Sequence, residues 1–382
     1  MKTHFKLIAL SLLAAASLPA LAQIKVGVTL SATGGAASIG IVERNLMALW
    51  PKTIAGQTVE FIIMDDGSEP GVAVRNARKF TSEDKVDVVI GSSTSPNSVA
   101  MIPIGEETST PIISMASALT IVSPMDKARR WVFKTVQNDQ TMIEAVLTHM
   151  EKKKVKRLGY IGQADATGEG YYLAIAALAK SHGIELTTVE KFNRNDQSVM
   201  AQALRLVAGN PDAIFVASLG TPAALPQLTL VERGYKGMIY HTGGVANNDF
   251  LRVAGASAEG MYLPVGPLLI AEQLPDSNPV KKVAMGVINM YEAKYGAGTK
   301  NVFLSYGQDP LILLENAIPV ALKKAKPGTK EFREALRDAL EATKNVVGSN
   351  GVYNITPTDH MGLDARSMNI VRVKNGKWTL AD

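Results

Sequence analysis

The sequence predicts an α/β protein made of two doubly wound, Rossmann-like lobes joined by hinge strands. Three observations carry that expectation. Short β-branched apolar runs occur in two series with nearly the same spacing, helix-length amphipathic segments separate successive runs, and the chain of 382 residues exceeds what one hydrophobic core usually sustains.

The N-terminus comes first because it sets the compartment. Lys2 and Lys6 flank a polar start that runs into the apolar stretch Leu7–Leu18 and ends in Ala20-Leu21-Ala22. That stretch is well short of the roughly 20 residues needed to span a bilayer, and its small-x-small ending is what a signal peptidase reads. Residues 1–22 are therefore expected to be a signal peptide cut after Ala22, which releases the chain into the periplasm with no membrane span of its own. The sequence has 0 cysteines, which rules out disulfides and also a lipid-modified cysteine anchor. Loss of Lys2 and Lys6 takes the formal charge from +5 to +3, too small a surplus for a nucleic-acid surface.

Strands are expected to begin near Ile24, Thr58, Val86 and Pro111, at steps of 34, 28 and 25 residues. A second set begins near Arg157, Ile184, Asp212 and Gly237, at steps of 27, 28 and 25. Trp131–Val136 and Met261–Val265 follow the two sets as extended segments and read as hinge strands. The basic run Lys152–Arg157 reads as a solvated helix end leading into a strand. Helices are then expected over Pro279–Tyr295, Gln308–Ala325 and Lys330–Ala342, followed by two strands around Asn375-Gly376, a type I′ hairpin signal. The resulting division is an N-terminal lobe of 23–136 plus 266–364 and a C-terminal lobe of 137–265 plus 365–382.

In an open doubly wound sheet, ligands bind beyond the carboxyl ends of the strands. The loops there are rich in glycine and hydroxyl residues. Ser95-Pro96 and Thr221-Pro222 each place a hydroxyl at an expected helix cap with proline after it. Free backbone N–H groups at such starts attract carboxylates without any lysine or arginine. Ordinary capping is the plainer alternative, and the matching positions of the two motifs in facing lobes favour a shared cleft.

Catalytic patterns are missing. After export four histidines are left, His149, His182, His241 and His360, and they lack metal-ligand spacing; no Walker, Gly-x-Gly-x-x-Gly or Gly-x-Ser-x-Gly motif follows a strand. No cofactor, no metal and no enzyme activity are expected, a hydrolase on the same lobes being the remote alternative. The pair Asp65-Asp66 ends a strand, where adjacent side chains point to opposite faces, and reads as a loop-fixing device.

Ile24–Val28 with Thr33-Gly34-Gly35, Asp65-Asp66 with Glu69-Pro70 and Ala73, Asp84–Gly91, Pro111–Ser114, Gly168-Glu169-Gly170 and Ala258–Met261 occur in this order. Together they resemble the periplasmic solute-binding proteins of branched-chain amino acid (Leu/Ile/Val) type ABC importers, over essentially the whole mature chain. The resemblance implies the type I periplasmic binding protein fold: a monomer that closes its hinge on a small molecule and delivers it to an inner-membrane permease. A ligand-sensing subunit docking on a receptor is the alternative. By the same resemblance, Ser95 and the Ala116/Ser117 pair meet the ligand carboxylate. Thr167 stands where the family has an aromatic residue, and Gly243 where it has an acid for the ligand ammonium. Thr167, Gly220 and Gly243 leave room for a bulky body, so the expected ligand is a carboxylate without an amine, an aromatic or aromatic α-keto acid. A branched-chain amino acid is the alternative.

Overall fold

The computed structural model describes residues 23–381; the leader expected over 1–22 lies outside them. The first lobe runs β1 (Ile24–Leu30), α1 (Ala37–Met47), β2 (Thr53–Ile54), β3 (Gln57–Asp65), α2 (Pro70–Lys79), β4 (Val88–Ile90), α3 (Ser95–Thr108), β5 (Ile112–Ser114) and β6 (Val132–Lys134). Its sheet has the order β2-β3-β1-β4-β5-β6. Helices cover both faces, so β1 is buried along its whole length apart from Lys25, as a central parallel strand should be.

The second lobe runs α4 (Asp139–Lys152), β7 (Arg157–Gln163), α5 (Ala166–Leu178), β8 (Glu185–Phe192), α6 (Met200–Ala208), β9 (Ala213–Ala217), α7 (Ala224–Glu232), β10 (Met238–His241), α8 (Asn248–Ala254) and β11 (Tyr262–Val265). Counted in chain order, the five parallel strands of each sheet lie in the same sequence, 2-1-3-4-5: β3-β1-β4-β5-β6 in one and β8-β7-β9-β10-β11 in the other. The twin spacing thus marks a duplicated topology. The run Lys152–Arg157 does bridge the end of α4 and the start of β7.

After β11 the chain forms α9 (Pro279–Tyr295), α10 (Phe303–Ala321), α11 (Lys330–Glu341), β12 (Val346–Val347) and β13 (Val352–Tyr353). Helix α10 packs on α1, and the Tyr295 hydroxyl donates to the Asn45 carbonyl at 3.0 Å, so these helices sit on the first lobe. One boundary differs from expectation: α10 begins at Phe303 rather than Gln308, and it contains Pro310 and Pro319. Phe303, Leu304, Ser305 and Tyr306 are all buried, and their packing outweighs the breakers that obscure the helical pattern. β14 (Asn369–Lys374) and β15 (Lys377–Leu380) then join the second sheet. Asn375 and Gly376 turn with φ of 53° and 68°, as a type I′ turn requires.

The chain passes between the lobes after β6, after β11 and before β14; a buried polar cluster ties the first passage to the third, and Gly266 of the second packs against Asn350. Gln137 Nε2 donates to the carbonyls of Asn350 (3.1 Å) and Ser367 (3.0 Å). Asn350 Nδ2 donates to Thr135 O and Gln137 Oε1, both at 3.0 Å. Asp309 holds the segment from below, accepting from Ser349 N (2.7 Å), Asn350 N (2.9 Å) and Tyr353 Oη (2.7 Å).

Candidate functional site

Both sheets aim the carboxyl ends of their parallel strands at one gap, and the two aspartates of the expected pair stiffen its first wall. Asp65 accepts from Ala32 N (2.9 Å), Thr33 N (3.2 Å), Thr33 Oγ1 (2.6 Å) and Gly67 N (2.9 Å). Partial burial works against its charge, but these bonds hold its carboxyl below the usual range. Asp66 faces the other way, accepting from Ser31 Oγ (2.7 Å), Ser92 Oγ (2.6 Å) and Ser68 N (3.0 Å). Three loops are thereby tied together, and neither carboxylate lines the gap.

The loop after β5 is fixed by two further buried charges. Lys134 is 0% exposed, and its ammonium donates to the Ser117 carbonyl (2.5 Å), the Ala118 carbonyl (3.3 Å) and Asn138 Oδ1 (2.8 Å). Burial pushes the ammonium down to about 7, against the pull of the Asp139 and Asp359 charges. Asp139 takes the Leu119 N–H at 3.1 Å; burial raises its carboxyl, with the Lys134 charge opposing. Opposite, Gly168 and Gly170 let α5 approach closely: a methyl on Gly168 would lie 2.0 Å from the Gln163 carbonyl, and one on Gly170 would lie 2.1 Å from Asp139 Oδ2.

Between these walls is a cavity of about 390 Å³. The first lobe contributes Ile39, Ser93, Ser95, Met115, Ala116, Ser117 and Val136, with Phe303 and Tyr306 from α10; the second contributes Met142, Thr167, Tyr171, Leu219, Thr242 and Gly244. None of these 15 residues is charged. Tyr171 reaches across the gap, its hydroxyl donating to Met142 Sδ at 2.9 Å and lying 3.5 Å from Ser117 Oγ.

Ser95, Ala116, Ser117 and Thr167 thus meet as the sequence led us to expect. Gly220, Thr221 and Gly243 do not line the cavity; their neighbours Leu219, Thr242 and Gly244 do. The cap assignments also shift by one residue. Thr94 occupies the N-cap position of α3 and Gly220 that of the short 3₁₀ turn Thr221–Ala223, so Ser95 and Thr221 are first helical residues instead. Gly220 turns there with φ 64°, which directs Leu219, not the hydroxyl of Thr221, at the gap. Gly243 sits one layer behind the wall: a methyl on it would lie 2.6 Å from the Pro264 carbonyl and 3.5 Å from Tyr306 Oη.

The cavity offers unspent hydroxyls. Ser95 Oγ accepts the Ala118 N–H at 3.1 Å, which leaves its own hydrogen free. No side chain caps α3, so its first-turn N–H groups keep their positive end open. Thr167 Oγ1 is buried without a partner. Tyr306 is 5% exposed and brings a phenol to the place where an acidic side chain at 243 would project. Sequence reasoning missed Tyr306 and Phe303 because α10 was started too late, and missed Tyr171, the residue directly after the glycine motif, because attention stopped at Thr167 before it.

The model of the family described as periplasmic binding protein matches residues 23–377. An extracellular ligand-binding receptor from Rhodopseudomonas palustris HaA2 is 45% identical, with 94% of this chain and 100% of that one aligned at a TM-score of 0.91. A solute-binding protein of an ABC transporter from Rhodopseudomonas palustris BisB5, solved with 3,4-dihydroxybenzoic acid, aligns over 93% of this chain and 95% of its own at a TM-score of 0.74; at 20% identity it shares the fold. An amino acid binding protein of Pseudomonas aeruginosa is 22% identical over 224 residues, 57% of this chain, and the chain spans about three fifths (59%) of that relative's length. With two lobes of like topology facing across one cavity and a family match over nearly every described residue, the chain belongs to the periplasmic binding protein family.

Proposed function

We propose that this protein is the periplasmic capture component of an ABC importer and closes on a small aromatic carboxylate or aromatic α-keto acid, which it hands to an inner-membrane permease. The observation that carries the ligand class is the uncharged cavity wall. An α-ammonium shut into it would have no carboxylate partner, at a cost of several kcal/mol. A carboxylate finds the opposite: the Ser95, Ser117 and Thr167 hydroxyls beside the open start of α3. Apolar walls from Ile39, Met115, Met142, Leu219 and Phe303 suit an aromatic body. Closure excludes water and so strengthens each hydrogen bond to the guest.

Calorimetric titration with phenylpyruvate, benzoylformate, benzoate and leucine tests the reading. Binding of at least one aromatic acid with no heat from leucine is the expected result. Tight leucine binding without any aromatic binding would overturn it.

A further inference from the structure

We propose that Glu43 is a positioning residue whose proton decides whether the Ser93 hydroxyl shows the cavity a hydrogen or a lone pair, so that anion capture weakens as Glu43 ionises. The inference rests on the anionic-guest reading above. Glu43 lies on α1 and is 0% exposed, one turn after Ile39 of the cavity wall. Ser93, itself part of that wall, accepts the Ser31 N–H at 3.0 Å and is hydrogen-bonded to Glu43 Oε2. Glu43 Oε1 has no partner.

A serine hydroxyl has one hydrogen and two lone pairs, and the Ser31 N–H uses one lone pair permanently. If Glu43 is ionised, Ser93 must donate its hydrogen to Oε2, and the lone pair left over faces an incoming carboxylate. If Glu43 is protonated, Oε2 donates to Ser93 instead, and the Ser93 hydrogen is released toward the cavity. The proton on Glu43 thus selects between repelling and binding an anion, with no movement of the backbone.

The surroundings favour the protonated form. Burial pushes the carboxyl up to about 8, opposed by the Ser93 bond and reinforced by the charge of Asp66, which projects from the loop after β3. On the α10 side the titratable neighbour is Tyr306, whose hydroxyl burial and the Glu43 charge keep neutral. Nothing cationic offsets Glu43 among these neighbours. By linkage, a guest that prefers the protonated state must draw in a proton as it binds above that pH.

The test is calorimetry with benzoylformate, which stays ionised throughout, from pH 6 to 9.5 in buffers of differing ionisation heat. Wild type is expected to bind about tenfold more weakly at the alkaline end, the effect of losing one hydrogen bond to a charge, and to take up a fraction of a proton per guest near pH 8. Glu43→Gln, whose amide also donates to Ser93, is expected to bind with one affinity across the range and without proton uptake. Ser93→Ala provides a second route and should bind weakly and independently of pH. Wild-type affinity that stays flat, or a pH slope that persists in Glu43→Gln, overturns the inference while leaving the ligand class standing. Absence of binding by benzoylformate, phenylpyruvate and benzoate at every pH overturns both.

Discussion

Gly35 of the first lobe lies directly beneath Arg194 of the second: a methyl group at position 35 would come within 2.3 Å of Arg194 Cδ. Arg194 is held there by Asp165, its Nη2 lying 3.0 Å from Asp165 Oδ2, with both side chains mostly buried. Gly35→Val should push the arginine off this contact and disfavour closure by about 1 kcal/mol. A roughly fivefold weaker Kd for the guest, with an unchanged melting temperature of the ligand-free protein, is expected. Equal Kd values would show that the contact plays no part in closing the lobes.

Ser95 supports the loop after β5 through Ala118, and in the proposed binding mode its hydrogen goes to the guest. Ser95→Ala is expected to weaken carboxylate binding by about 1–3 kcal/mol, the penalty for stranding a charged acceptor. Titration with the tightest aromatic acid measures it, and an unaltered Kd would remove Ser95 from the site.

Tyr306 stands where family resemblance would place an acid, and its neutral phenol can donate to a keto oxygen. Tyr306→Phe should weaken benzoylformate by about 1 kcal/mol and leave benzoate, which has no keto group, nearly unaffected. Parallel losses for the two ligands would indicate packing rather than a hydrogen bond.

Lys134 has its ammonium pushed down to about 7 from an ordinary 10.5. Between those values the unfolded chain holds more protons than the folded one, so this group's contribution to stability rises with pH from about 7 to 10.5 and is lost as pH falls through that window. Lys134→Met should abolish that rise in urea midpoints. It should also weaken guest binding at pH 7, because the carbonyls of Ser117 and Ala118 lose their clamp. A variant with the wild-type pH slope would show that Lys134 is not the group titrating.

Much of the fold was legible because it is written in local periodicity. All eight expected strand starts lie within two residues of observed strands, since a parallel strand covered on both faces must be apolar throughout. Four of the 15 cavity residues were legible for a related reason: Ser95, Ala116, Ser117 and Thr167 follow strands in loops whose position topology dictates. Tyr306 was not, since it reaches the gap from a helix some 60 residues beyond the last strand loop considered, and only tertiary packing brings it there. Nor was Glu43, whose chemistry comes from burial rather than from any motif. At Gly220 and Gly243, small size was read as room for a guest, whereas the structure uses it for a turn and for contact with Pro264.

The stitched crossing of three chain segments also limits the kind of motion available. Cross-ties from Gln137 to Asn350 and Ser367, with Gly266 packed against Asn350, keep the strips side by side, as pins keep a door on its frame. Sliding or screwing one half past the other would tear those ties, whereas swinging about the line of the pins leaves them intact. Any relative motion of the lobes that preserves these bonds is therefore confined to a swing about that line.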